Sequence, residues 1–303
     1  MRRGLAFAIG AAVSRAVLRR AGSPEVLRRT NFRGREVTLA GGPALAAGAS
    51  VGAAAGAPTP AAAAAALTAG LGAGVVGLYD DVVGARPEQK AAKGFKGHLT
   101  ALREGRVTSG LVKIAGVGAA GLAASALLAA DPGRRRKSRT GLVADVLLGA
   151  GVIAGTANLL NLFDLRPGRA IKAGALIATP LLTTGRTPVI RASPKSLERL
   201  EGRPDHGRGS AGGSAAMVAG ALGGAAGVLP DDLGERAMLG DCGANAYGAL
   251  LGVAIASRTG PVGRAAALAG LVALTAASEK VSFTQVIQST PGLRELDALG
   301  RRP

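Results

Sequence analysis

Long apolar runs separated by short charged segments dominate this chain. Between Glu36 and Asp80 no charged residue occurs, and at about 1.5 Å per helical residue that stretch far exceeds one bilayer crossing of roughly 30 Å. Pro58 and Pro60, with Thr59 between them, break the run near its middle and supply a hairpin turn, which predicts two crossings. Further charge-poor runs follow at 114–130, 146–163, 173–185, 210–230, 243–257 and 265–278, and a short uncleaved helix over 4–18, with Arg15 inside it, comes first. The pattern predicts an all-α fold, a polytopic transmembrane helix bundle of about nine helices. It forms a single integral membrane domain over 1–303, with a polar loop insertion at 186–210 and a cytoplasmic tail at 280–303. The part of that tail over 282–302 reads as a partly amphipathic helix interrupted at Pro291.

Composition sharpens this. Only 2% of residues are aromatic, there is no Trp, and 48 of 303 are Gly, so a soluble core of large side chains is hard to assemble. Small residues instead let helix backbones approach closely, and the spacing of Gly48, Gly52 and Gly56 fits such packing. The 37 basic residues against 19 acidic ones give a net charge of +18. In a soluble protein that excess points to nucleic acid. Here basic loops beside apolar helices match anionic membrane lipid, and no aromatic platform for stacking bases accompanies them, so nucleic acid is not expected as a partner. One cysteine, Cys242, excludes an internal disulfide, and His98 and His206 give no zinc pattern.

Alternation of the crossings places residues 19–35, 80–106, 158–169, 231–241 and the tail from Glu279 on one side, the cytoplasmic one by the positive-inside rule, with the amino terminus outside. The basic run 134–139 and the polar segment 186–208 fall on the other side, against the rule. The acids then share the cytoplasmic side: Asp80 and Asp81 end one run, Asp164 ends another, and Asp241 precedes a third. Carboxylates at a membrane edge are costly, which makes a functional role the default hypothesis, and several on one side suggest a shared cation; hard divalent ions take one or two carboxylates plus phosphates and water. Asp145, isolated near the opposite end of its helix, is read as a structural acid marking a water interface.

Three segments carry these acids: Gly77-Leu-Tyr-Asp-Asp81, Asn158-Leu-Leu-Asn-Leu-Phe-Asp164 and Gly240-Asp-Cys-Gly-Ala244. Their order resembles that of the polyprenyl-phosphate N-acetylhexosamine-1-phosphate transferases, the family that includes the phospho-MurNAc-pentapeptide translocase. The resemblance covers about three quarters of the chain. It implies transfer of a sugar 1-phosphate from a UDP-N-acetylhexosamine-type donor to polyprenyl phosphate, with release of UMP, at a bacterial plasma membrane during cell-envelope glycan synthesis. Asp164 and Asp241 would hold Mg²⁺, while Asp80 and Asp81 would position or deprotonate the lipid phosphate. Asn158 and Asn161 would orient the nucleotide sugar or the metal shell by hydrogen bonds, and Lys113 and Lys96, or Lys93, would hold a phosphate as point charges. A homodimer or cell-envelope enzymes are the implied protein partners.

The chain departs from the family where Leu165-Arg166-Pro167-Gly168 replaces a Gly-x-Asp-Gly turn, in having no late His-rich loop, and in lacking a last helix. A catalytically altered or inactive membrane scaffold, or a cation-binding transporter, is therefore the competing class. Gly72-x-Gly74-x-x-Gly77 matches a dinucleotide fingerprint by letter but follows no strand, so helix packing explains it. Cys242 beside Asp241 reads as a small packing residue.

Overall fold

The computed structural model of the chain describes residues 1–86, 94–132, 138–183 and 206–302. Helix accounts for 78% of it, and the only sheet among the described residues pairs two three-residue strands, so the fold is all-α. The order is α1 (Arg2–Ala21), strands β1 (Arg28–Thr30) and β2 (Glu36–Thr38), then α2 (Gly41–Gly56), α3 (Pro60–Val83), α4 (Gly94–Arg103), α5 (Ser109–Ala129) and α6 (Arg139–Phe163). After these come α7 (Arg169–Leu182), α8 (His206–Leu233), α9 (Gly240–Arg258), α10 (Pro261–Ser278), α11 (Phe283–Ser289) and α12 (Leu293–Ala298).

Five of these helices, α3, α5, α6, α8 from Gly213 onward, and α10, are long and apolar enough to cross a membrane. The expectation of about nine exceeds this count for local reasons. Helices α2 and α7 have 16 and 14 residues, short for about 30 Å of hydrocarbon, and α1 carries five arginines in 20 residues. Helix α9 places Asp241, Asn245 and Arg258 in 19 residues, and nearly all of it is buried inside the bundle.

The Pro58-Thr59-Pro60 turn forms as its residues dictate. Thr59 is extended, its hydroxyl accepts the Ala62 N–H at 3.2 Å, and Pro60 opens α3, where its missing N–H costs nothing. Two prolines are absorbed inside helices instead of ending them. Helix α8 continues through Pro230 to Leu233, so Asp231 and Asp232 belong to its last turn, and α7 contains Pro180. The expected polar insertion also ends earlier, because residues 206–210 already belong to α8; residues 186–205 lie outside the described ones.

Close backbone approach holds α1, α2 and α8 together. A Cβ at Gly52 would stand 2.6 Å from the Gly220 carbonyl oxygen and 2.8 Å from the Gly10 Cα, so no side chain fits between these helices. Opposite in character is α10, which buries only Arg264. Arg264 corrects the reading of Asp145: that acid is 1% exposed and pairs with the Arg264 guanidinium, itself 2% exposed, at 2.6 Å. Asp145 is structural, as expected, but marks no water interface. The arginine also donates to the Ala256 carbonyl at 3.0 Å, tying α10 to the end of α9.

The bundle has two distinct ends. At one, Arg2 donates to the Ala57 carbonyl at 2.7 Å, Thr59 bonds Asp131, and Arg258 donates to the Thr183 carbonyl at 2.9 Å. At the other end lie the β-hairpin, the end of α3, the α6–α7 turn, the α8–α9 loop and the tail. The tail is helical on both sides of Pro291, as expected, and docks on the α6–α7 turn. Asp297 accepts two bonds from Arg169 at 2.8 and 2.9 Å, Lys172 donates to the Leu299 carbonyl at 3.0 Å, and Phe283 stacks on Phe163 at 5.3 Å.

Burial works to raise the Asp297 carboxyl, but hydrogen bonds from Arg169 and Arg301 outweigh it and hold the group below its usual range. A lowered folded value means stability that is present above the unfolded value of about 3.9 and lost as pH falls through the lower one. Hydrogen exchange of residues 283–302 is therefore expected to stay protected from neutrality down to about pH 4 and to rise sharply below it. Gly52→Val is expected to cost roughly 1–3 kcal/mol by overpacking, read as a lower unfolding midpoint in detergent.

Candidate functional site

Helix α9 starts inside the bundle with no local cap. Its first N–H groups need acceptors, yet Leu239 at the cap position offers no side-chain bond. The acceptors come from two other helices. Asp81 at the end of α3 takes the Asp241 N–H on Oδ1 and the Cys242 N–H on Oδ2, both at 2.9 Å, and Asp164 at the end of α6 takes the Gly240 N–H. Gly240 turns the chain with φ 58°, a left-handed conformation in which a Cβ would also stand 2.8 Å from the Asp81 carboxylate. Negative charge at this helix start is favoured by the helix dipole as well.

Asp241 itself, in the first turn, points to α5. Lys113 Nζ lies 2.6 Å from Asp241 Oδ2 and 2.7 Å from Asp80 Oδ2, and the two carboxylates are within hydrogen-bonding reach of each other. Ser109 adds a bond to Asp80. Asp164 sits beyond the end of α6, and burial, followed by the charges of Asp232, Asp241 and Asp81, holds its carboxyl well above the usual carboxylate range. These are like charges gathered where a cation lowers the energy of all of them.

Of the residues singled out from the sequence, Asp80, Asp81, Lys113, Asp164 and Asp241 thus lie together around the start of α9. Asn158 lies elsewhere: it is exposed, and its amide donates to Thr275 of α10 at 3.2 Å. Asn161 is half-buried on the next turn of α6, its carbonyl accepting the Asp164 N–H at 3.1 Å. Lys96 belongs to α4, but its side chain, like all of Lys93, lies outside the described residues, as do the side chains of His98 and His206. Cys242 is buried and packs against α2 and α3, the packing role expected of it.

Asp232 was not singled out. It is 4% exposed and accepts the Gly168 N–H at 2.8 Å, which anchors the α6–α7 turn where Gly168 takes φ 71°. A small cleft beside it is lined by Asp164, Arg166, Asn31, Phe32 and Glu235 among others, with the Arg166 guanidinium 4.2 Å from the Phe32 ring centroid. The signal was available, since Asp231-Asp232 closes an apolar run as Asp80-Asp81 does. Glu235 was also missed. It lies in the α8–α9 loop with φ 52° and is held by Asn31 at 2.8 Å and Arg33 at 3.3 Å, while Met238 N–H donates to the Thr38 carbonyl at 2.8 Å. The β-hairpin therefore fastens the loop that delivers Gly240 and Asp241.

The chain matches no protein-family model and no curated protein. Function has to be argued from the site.

The donor set is all carboxylate oxygen, which suits a hard divalent ion. Among the described residues no group of three or more His, Cys, Asp or Glu stands close enough to hold an ion; the resemblance would need only two carboxylates, with phosphate and water completing the shell. The Lys113 ammonium bridges Asp80 and Asp241, so a cation already sits at Asp241, one of the two acids the resemblance assigns to Mg²⁺. Because Asp81 caps α9, Asp81→Ala is expected to destabilise the protein by about 2 kcal/mol, with Asp81→Asn milder because it keeps one acceptor. Chemical unfolding in detergent measures the difference.

Proposed function

We propose that the protein is a divergent member of the polyprenyl-phosphate N-acetylhexosamine-1-phosphate transferases. It moves a sugar 1-phosphate from a UDP-N-acetylhexosamine-type donor to polyprenyl phosphate at a bacterial plasma membrane. The observation that carries this reading is the meeting of three motifs, distant in sequence, around the start of α9: Asp80 and Asp81, Asp164, and Asp241. In this reading α1, α2, α7 and α9 cross the membrane with the five longer apolar helices, and the hairpin, acids and tail face the cytoplasm, where the nucleotide sugar is.

Asp164 and Asp241 would hold Mg²⁺, and the ion would supply the charge that neutralises the pyrophosphate of the donor. The chain's own groups do the rest. The Lys113 ammonium supplies a point charge for a phosphate. Asp80, without a capping duty, is the better placed of the pair to orient or deprotonate the lipid phosphate, because both oxygens of Asp81 are committed to backbone donors. Arg166 in the cleft lining makes it attractive to an anionic donor.

A second reading has its own support. Asp81 serves as a cap, and Lys113 neutralises Asp80 and Asp241, which is also how a purely structural network is built. A membrane scaffold without turnover, or a cation-binding transporter, would use the same contacts. The deciding assay supplies Mg²⁺, polyprenyl phosphate and a panel of UDP-N-acetylhexosamines to purified protein and measures UMP. Wild type is expected to release UMP, with Asp164→Asn and Asp241→Asn lowering the rate at least 100-fold, on the order of losing a main electrostatic contributor. Signals from both variants equal to wild type would favour the scaffold.

A further inference from the structure

Two cations need Asp241. Its Oδ2 is 2.6 Å from the Lys113 ammonium, which also lies 2.7 Å from Asp80 Oδ2, and the proposed metal requires the same carboxylate with Asp164. A Mg²⁺ ion binds oxygen at about 2.0–2.1 Å and demands near-octahedral geometry. On that oxygen it competes with the ammonium for the same negative charge.

The lysine is built to leave. Its backbone is fixed in the first turns of α5, where Thr108 accepts the Leu111 N–H at 3.2 Å, whereas its charge rides on a flexible four-carbon stem. The other cations at this end are engaged elsewhere: Arg29 on the Asp81 carbonyl, Arg33 and Arg35 on Glu235, Arg15 and Arg236 on Asp231, Arg169 and Arg301 on Asp297. Among the described residues Lys113 alone pairs with Asp80 and Asp241. With the ammonium in place the three groups sum to one negative charge. With a divalent ion on Asp164 and Asp241 in its place, the ion offsets Asp241, and the released ammonium can balance a phosphate arriving with the metal.

We infer that Lys113 and the divalent cation exchange places on Asp241. The ammonium closes the Asp80–Asp241 pair in the absence of substrate, and entry of metal with a phosphate-bearing ligand moves it from carboxylate to phosphate. The inference rests on the transferase reading for the identity of that phosphate. It makes the two ligands mutually dependent: metal must first open the pair, which weakens its apparent affinity, and a phosphate that holds the freed lysine restores it, by a coupling that acts equally in both directions.

The test measures Mn²⁺ binding to the full chain in nanodiscs, by electron paramagnetic resonance, with and without UMP. Wild type is expected to bind Mn²⁺ weakly alone and several-fold more tightly with UMP. Lys113→Met is expected to bind Mn²⁺ roughly tenfold more tightly than wild type without UMP, the scale of one charge-assisted bond, and to ignore UMP. Lys113→Gln repeats the measurement should methionine cost the fold, with the thermal midpoint as control. A variant with wild-type Mn²⁺ affinity and wild-type UMP dependence overturns the exchange, as does wild-type binding that UMP leaves unchanged although the enzyme turns over. If no protein releases UMP in the transferase assay but the variant still binds Mn²⁺ more tightly and inorganic phosphate replaces UMP in the coupling, the transferase reading fails and the exchange stands.

Discussion

A helix that begins in the middle of a protein, with no acceptor of its own, must borrow one. Helix α9 is walled in on nearly every side, and Leu239 cannot satisfy the amides that follow it. Asp81 and Asp164 do so from α3 and α6. Much else at this end serves that arrangement. Gly77 removes the side chain that would keep α3 from the Asp241 carbonyl, Asp232 pins the turn after Asp164, and the β-hairpin holds the loop before Gly240. Because the acceptors are carboxylates and not neutral hydroxyls, the same solution concentrates negative charge. Asp241 adds to it, and Lys113 only partly offsets it. A concentration of negative charge and a backbone cap are here one construction.

The opposite end solves its charge problem differently. Asp145 and Arg264 form a closed pair with further bonds from the guanidinium to backbone carbonyls. Breaking such a pair by removing one partner leaves an uncompensated buried charge, so it fastens α10, a helix otherwise facing outward, to α6 and α9. The acid end has an excess of one sign, whereas this pair balances. One group gathers charge around a helix start, and the other joins two helices.

Much of the helical layout was legible because it rests on one-dimensional signals: apolar runs, the Pro58-Thr59-Pro60 break, and the interruption at Pro291. The grouping of Asp80, Asp81, Asp164 and Asp241 was legible for a related reason, since acids at the ends of apolar runs end up at the same end of the bundle when the runs alternate. What could not be read was direction around a helix. Asn158 shares a motif with Asp164, but six residues of helix rotate it away, and it meets α10. Asp232 follows a proline that closes the apolar run in sequence but not the helix, which continues through Pro230 to Leu233. Asp81 as a cap was illegible in principle: nothing in its neighbours announces that a helix 160 residues later needs an acceptor.

The backbone contacts at Gly10, Gly52 and Gly220 carry a consequence for how this sequence can vary. Where two helices touch through backbone, every replacement adds volume and none can be compensated by trimming a neighbour that has no side chain to trim. Such a surface cannot drift by small paired steps, as a core of leucines can. Helix α10, of much the same letters, is mostly exposed, and away from Arg264 and from Leu268, Leu271 and Thr275, which meet α6, it has few neighbours to accommodate. Two stretches of similar low complexity are thus, respectively, among the most constrained and the most permissive parts of the chain.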